Sequence, residues 1–223
     1  MKLLLTATVA AFSLASSPSL AQRAADGDVK ILFWQAVSSM NPYLSGGSKE
    51  VYAASIVIEP LAGFDESGNM FPRLAADIPT LENGGVAADR LSITWKVKDG
   101  LKWSDGSDVT AEDVAFTWRY CTAPGGGCAQ KAKFDGVAKV EATDRLTVKI
   151  TFDKPVSYPY GPFVGALSPV IQKAQFSECL GEKAPQCTAA NFGPIGTGPF
   201  VVKDFKANDV VTFAANPNYR DPA

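Results

Sequence analysis

Positions 93–120 read ITWKVKDGLKWSDGSDVTAEDVAFTWRY and change backbone period twice, which constrains where a strand must give way to a helix. Ile93, Trp95 and Val97 alternate with Thr94, Lys96 and Lys98, the period of a strand buried on one face. Asp99-Gly100 then turns the chain, since glycine accepts a positive φ and Asp-Gly suits tight hairpin turns. Leu101-Lys102-Trp103 is expected to form the hairpin's short return before a second turn at Asp105-Gly106. At Thr110 the pattern becomes helical. Its hydroxyl can cap free N–H groups, and Asp113 three residues on completes a capping-box-like pair. Glu112 and Asp113 also put negative charge at the positive end of the helix dipole.

The two faces of that helix carry different messages. Ala111, Val114, Ala115 and Trp118 share one stripe and predict the core side. Phe116 and Tyr120 fall on roughly the opposite side. Two readings stand for them: another part of the chain covers these rings, or they wall a ligand cleft.

Met1-Lys2 and the apolar run LLLTATVAAFSL have the form of a secretory signal, too short to span a bilayer. Ser19 and Ala21 supply the small residues that place cleavage before Gln22, so residues 1–21 are expected to be removed. No cysteine stands at that junction, and no later segment is apolar enough to cross a membrane. The mature chain is expected to be soluble and exported, in a bacterium to the periplasm.

Four cysteines in an exported chain suggest disulfides. Three pairings are open in principle. Cys121 with Cys128 and Cys179 with Cys187 each bracket a short polar loop, which favours local pairing, each bridge stabilising by ~2 kcal/mol. Metal binding by the thiolates is disfavoured, because the spacings lack a C-x₂-C pair and the chain has no histidine.

Elsewhere the pattern predicts a strand at VKILFW, a loop over 36–47, and a helix capped by Ser48 that runs to Glu59-Pro60. Hairpins are expected over 61–75, turning at 65–69, and over 137–152. A proline- and aromatic-rich stretch at 155–169 should mix loop with one short helix. A tight glycine turn at 195–198, read as structural, leads into a last pair of strands.

Little catalytic chemistry is available. The absence of histidine excludes Ser-His-Asp and Cys-His triads and histidine metal sites. A carboxylate pair of the glycosidase kind is the remaining option, but Glu112 and Asp113 are better explained as helix-start charges. No catalytic, metal or cofactor constellation emerges, so no enzyme is expected; a secreted carboxylate-based hydrolase is the alternative. With 46% hydrophobic and 20% charged residues and a net charge of −2, the chain can build a core but has no basic face for nucleic acid.

MNPYLSGG, DGLKWSDGSDVTAEDVAFTW, NFGPIGTGPFVVKDF and ANPNYR, in that order along the chain, closely resemble the family 5 extracellular solute-binding proteins. These are dipeptide-, oligopeptide- and nickel-binding receptors of ABC importers. The resemblance implies an α/β chain with a periplasmic-binding-protein type II fold and a mixed sheet. It divides the first lobe into a sheet-bearing part, residues 22–58 and 168–223, and an inserted β-rich subdomain, residues 59–167. Family members run to more than twice this length, so the second lobe, with its main ligand-selecting groups, is expected to be absent. In this family the loop after Met40-Asn41-Pro42 lines the ligand cleft, which maps to Ser45, Gly46, Gly47 and Ser48. Oligopeptide receptors carry an acidic side chain there, where this chain has glycines. Phe116 matches an aromatic position facing the ligand; Tyr120 and Trp34 complete the expected wall. The implied partners are a small solute, with a peptide as the default and a metal chelate, opine or sugar as alternatives, and an inner-membrane permease with its ATPase subunits. A monomer without cofactor is expected.

Overall fold

Among the described residues the alternating runs pair in local hairpins, except for one that finds its partner more than fifty residues along the chain. In the computed structural model, which describes residues 29–221, helix α1 spans Ser48–Ala54 and precedes a hairpin of β1 (Ala62–Phe64) and β2 (Met70–Pro72). Strand β3 (Ser92–Lys96), helix α2 (Ala111–Thr122), and strands β4 (Val137–Ala142) and β5 (Thr147–Phe152) follow. Short helices α3 (Lys173–Phe176) and α4 (Thr188–Phe192) lead to the hairpin of β6 (Phe200–Phe205) and β7 (Val211–Ala215). Two units are distinguished, one ending at Phe33 and one starting at Trp34. The described part of the first, residues 29–33, carries no regular structure, so the strand expected at VKILFW is not formed there. The signal-peptide reading for residues 1–21 lies outside the described residues.

Strand β3 pairs antiparallel with β5, setting Ile93 opposite Ile150 and Trp95 opposite Val148, and β4 pairs with the other edge of β5. All four of these side chains are fully buried. The expected return at 101–103 therefore does not pair with β3. Lys102 instead bridges Asp108, and the Val109 amide donates to the Leu101 carbonyl, closing a small loop around Asp105-Gly106. The physical reason is reach: β5 offers a longer one-faced partner for Ile93 and Trp95 than three residues could. The turns themselves are as expected, with Gly100 and Gly106 both at positive φ.

Helix α2 starts as its sequence dictates. The Thr110 amide donates to Asp113 Oδ2 at 2.9 Å, and the Thr110 hydroxyl lies 3.1 Å from the same oxygen. Asp113 Oδ1 accepts from the Lys173 amide at 2.9 Å, so the capping residue also fixes α3. Of the predicted stripe, Ala111, Val114 and Ala115 are buried and Trp118 is half-buried, while Phe116, Thr117 and Tyr120 are buried as well. The helix is enclosed on both faces.

Helix α1 ends at Ala54, short of the expected Glu59-Pro60 stop, and its N-cap is Gly47 rather than Ser48. Pro60 has no N–H to return to the Ile56 carbonyl. The carbonyls of Ile56 and Val57 are used elsewhere, accepting from Phe200 N at 3.2 Å and Gly198 N at 2.8 Å. The glycine turn makes this approach feasible: a Cβ on Gly196 would stand 1.9 Å from the Val57 carbonyl oxygen. Residues 155–169 contain no helix, contrary to expectation; Val164 makes a parallel bridge to Ala62 instead. The hairpins β1–β2, β4–β5 and β6–β7 form where the alternation placed them. Cys121 is bonded to Cys128 and Cys179 to Cys187.

A buried ion pair ties the region after α1 to the end of the last hairpin. The Glu59 carboxylate accepts from Arg220 Nη1 at 2.6 Å and Nη2 at 2.8 Å, with Arg73 Nη1 at 3.4 Å. Removing Arg220 leaves the buried Glu59 carboxylate with only the longer contact to Arg73 to offset its charge. Arg220→Ala is expected to lower unfolding stability by about 3 kcal/mol, whereas Lys102→Ala, at an exposed pair with Asp108, should change it by less than about 1 kcal/mol. Urea midpoints measure both; equal midpoints for the two variants would contradict the assignment.

Candidate functional site

The loop between residue 40 and α1 is held from beneath by buried amides. Asn41 Nδ2 donates to the Tyr120 hydroxyl at 2.9 Å and to Asn191 Oδ1 at 2.8 Å, while Asn41 Oδ1 accepts from the Tyr43 amide at 3.0 Å. Asn191 continues the network, donating from Nδ2 to the Ala184 carbonyl and accepting from the Met40 amide at its own carbonyl, both at 2.8 Å. Every polar atom of the Asn41 side chain is thereby used, which a buried amide requires. The Tyr43 hydroxyl donates to the Pro169 carbonyl.

Both disulfide loops feed this support. Just past Cys128, the Ala129 amide donates to the Tyr43 carbonyl at 2.8 Å, and Gln130 Nε2 reaches the carbonyls of Pro42 at 3.3 Å and Ser45 at 3.4 Å. Just past Cys187 lies α4, which carries Asn191. The two loops also meet backbone to backbone: a Cβ on Gly181, at φ 59°, would stand 2.7 Å from the Pro124 carbonyl oxygen. Glycine is required there by conformation and by space alike.

Over this support, Ser45 and Gly47 are half-buried while Gly46 and Ser48 are exposed. The Gly47 amide donates to Ser45 Oγ at 3.1 Å. The Cβ position of the exposed Gly46 meets no heavy atom within 4 Å. Trp34 is 67% exposed.

The two aromatics of α2 are placed differently from the outward-facing reading. Phe116 is only 3% and Tyr120 only 2% exposed, so the rest of the chain covers them. The Tyr120 ring packs 6.1 Å from Tyr43, 5.7 Å from Phe176 and 6.4 Å from Phe116, centroid to centroid. Burial pushes the Tyr120 phenol up to about 12, against the opposing hydrogen bond from Asn41. Neither ring meets solvent; Tyr120 acts on the loop through Asn41. Helical period told that these rings lie opposite the first stripe, but not that residues 40–44 and α3 would cover them.

The structure thus places Ser45, Gly46 and Gly47 in one loop and Ser48 at the first residue of α1, with Tyr120 under the loop's entry. Asn41, Gln130 and Asn191 were not singled out by sequence, although Asn41 and Asn191 sit inside MNPYLSGG and NFGPIGTGPFVVKDF. Two open cavities, of about 260 and 330 Å³, lie around Leu81, Val156 and Tyr160 and around Asp77, Asn83 and Lys96; none of the expected site residues lines either. Among the described residues, no three His, Cys, Asp or Glu side chains converge as a metal site, and no helix is long and apolar enough to cross a membrane.

Residues 69–223 match the family described as bacterial extracellular solute-binding proteins, family 5 Middle. The chain is 26% identical over 195 residues to the glutathione-binding protein GsiB of Shigella boydii, covering 87% of this chain and 36% of that protein. Among solved structures, NikZ from Campylobacter jejuni in complex with Ni(L-His) superposes with a TM-score of 0.67 at 26% identity, covering 82% of this chain and 34% of that one. Listeria monocytogenes OppA bound to peptide gives a TM-score of 0.67 at 23% identity, covering 83% and 38%, a likeness of fold. The fold is that of the type II periplasmic binding proteins. The chain spans about a third of the length of the relatives it matches.

Asn41→Ala would leave the Tyr43 amide and Asn191 Oδ1 buried without their partner, and is expected to cost about 2–3 kcal/mol. Asn41→Asp, which cannot donate, should be nearly as damaging. Urea unfolding reads both; a midpoint unchanged in either variant would show that the network does not hold the loop.

Proposed function

Because this chain belongs to the bacterial extracellular solute-binding proteins of family 5, we propose that it supplies the first lobe of the substrate-binding component of an ABC importer. In this reading residues 1–21 direct export to the periplasm. Residues 22–58 and 168–223 form the sheet-bearing part of the lobe, and residues 59–167 an inserted subdomain. A small solute enters between two open lobes, and the closed form delivers it to a membrane permease whose ATPase subunits hydrolyse ATP. Closure follows from contacts made only in the closed state, so the solute shifts that population. The receptor acts as a monomer and returns its solute unchanged.

One observation carries the reading: the stretch of Ser45, Gly46, Gly47 and Ser48 presents an exposed Gly46 over the buried hydrogen-bond network of Asn41. Backbone N–H and C=O groups on a preformed surface suit a solute that is itself a chain of amides. A peptide is therefore the proposed ligand, with Trp34 beside the loop residues in the wall and Phe116 and Tyr120 backing it. The similarity to a relative named for glutathione supports this. A second reading, a metal chelate, is favoured by the likeness to NikZ in complex with Ni(L-His).

Native mass spectrometry of the natural full-length protein, purified from periplasm, tests both. A co-purified mass that fragments as a peptide is the expected result. A nickel isotope pattern would replace it with the chelate reading, and turnover of added peptides or glycosides to product would overturn the receptor reading itself.

A further inference from the structure

Glycines 46 and 47 are adjacent, and neither has a left-handed backbone, yet different surroundings press on them. Among the described glycines, Gly46 alone combines an ordinary φ with no heavy atom within 4 Å of its Cβ position. At Gly47 the same construction places Cβ 2.3 Å from Glu50 Oε2 and 3.4 Å from Glu50 Cδ. The carboxylate occupies the volume in which a side chain at 47 would have to sit.

Glu50 is an unusual tenant of that volume. It is 0% exposed. At the third position of a helix, a glutamate ordinarily reaches back to the amide of the N-cap residue. Here the N-cap is Gly47, whose amide is taken by Ser45 Oγ at 3.1 Å. Glu50 Oε1 turns instead to Ser38, accepting from its amide at 3.0 Å and its hydroxyl at 2.7 Å, and it pairs with the Lys49 ammonium. Burial alone would raise the Glu50 carboxyl, but Lys49 and Ser38 outweigh it and bring it down to about 2, so the group is held ionised. Oε2 has no hydrogen-bond partner. A buried carboxylate oxygen left without a donor costs stability, and what it gains here is position: it is wedged beneath the N-cap glycine of α1.

We propose that Glu50 is the positioning residue of the ligand loop, its carboxylate filling the side-chain space of residue 47 and, through Ser38, locking the 45–48 backbone in the form that meets the solute. This rests on the receptor reading above. The two glycines then divide the work. Gly47 is small for the sake of the interior, and Gly46 faces outward.

The test is a mutant cycle in the natural full-length protein, read by amide hydrogen exchange and by calorimetric titration with glutathione and with trialanine. Gly47→Ala is expected to speed exchange of the two hydrogen-bonded amides, those of Ser38 and of residue 47, about tenfold, the cost of one displaced buried hydrogen bond, while amides of β3 and β5 keep the parent's rate. Local loss with an intact sheet separates positioning from general destabilisation. Gly46→Ala should leave all these rates unchanged. Gly47→Ala/Glu50→Ala should speed exchange of the residue-47 amide, and weaken peptide binding, by less than the two single changes combined, because the second substitution removes the atoms the first collides with. Parent-like exchange in Gly47→Ala, or strictly additive effects in the cycle, would overturn the assignment. A parent protein that binds neither peptide defeats the peptide reading, and the exchange rates still decide the role of Glu50.

Discussion

The Asn41 side chain is the contact on which most of the candidate site depends. One amide joins three elements remote in sequence: the loop it belongs to, α2 through Tyr120, and α4 through Asn191. Such a hub is stable only when complete, since a buried donor or acceptor left unpaired costs more than its hydrogen bond returns. Tyr120 cannot face solvent while it serves this contact. The loss of an aromatic wall and the gain of a rigid loop are therefore one structural fact.

The two disulfides fit the same logic. Each closes a short loop, and neither loop carries an element of the sheets. What they restrain are the segments entering the network, Ala129-Gln130 after the first and α4 after the second. Glycine contacts between the loops, at Gly126 and Gly181, bring them together without side chains. A second clamp works near the ends of α1. Glu50 holds Ser38 at its start, and Glu59 holds Arg220 beyond its end.

Local signals were legible where local physics decides. The capping pair of Thr110 and Asp113, the turns at Gly100 and Gly106, and the strand spans at 137–152 and 200–215 follow from spacing within a few residues. The failures share another cause. Helix α1 stops at Ala54, and the carbonyls of Ile56 and Val57 beyond it accept from Phe200 and Gly198; nothing near residue 56 announces partners so distant. Likewise β3 chose β5 over its own return, a competition between surfaces that periodicity cannot rank.

By itself, then, the chain's order of residues determined which segments bend, cap and alternate, and through four ordered motifs it announced the family, because those properties depend on neighbours in sequence. Only the tertiary structure decided which faces are covered. It buried Phe116 and Tyr120, left Gly46 open, and set a carboxylate under Gly47. Burial is a property of what arrives from elsewhere, and a helical period records a direction without recording what fills it.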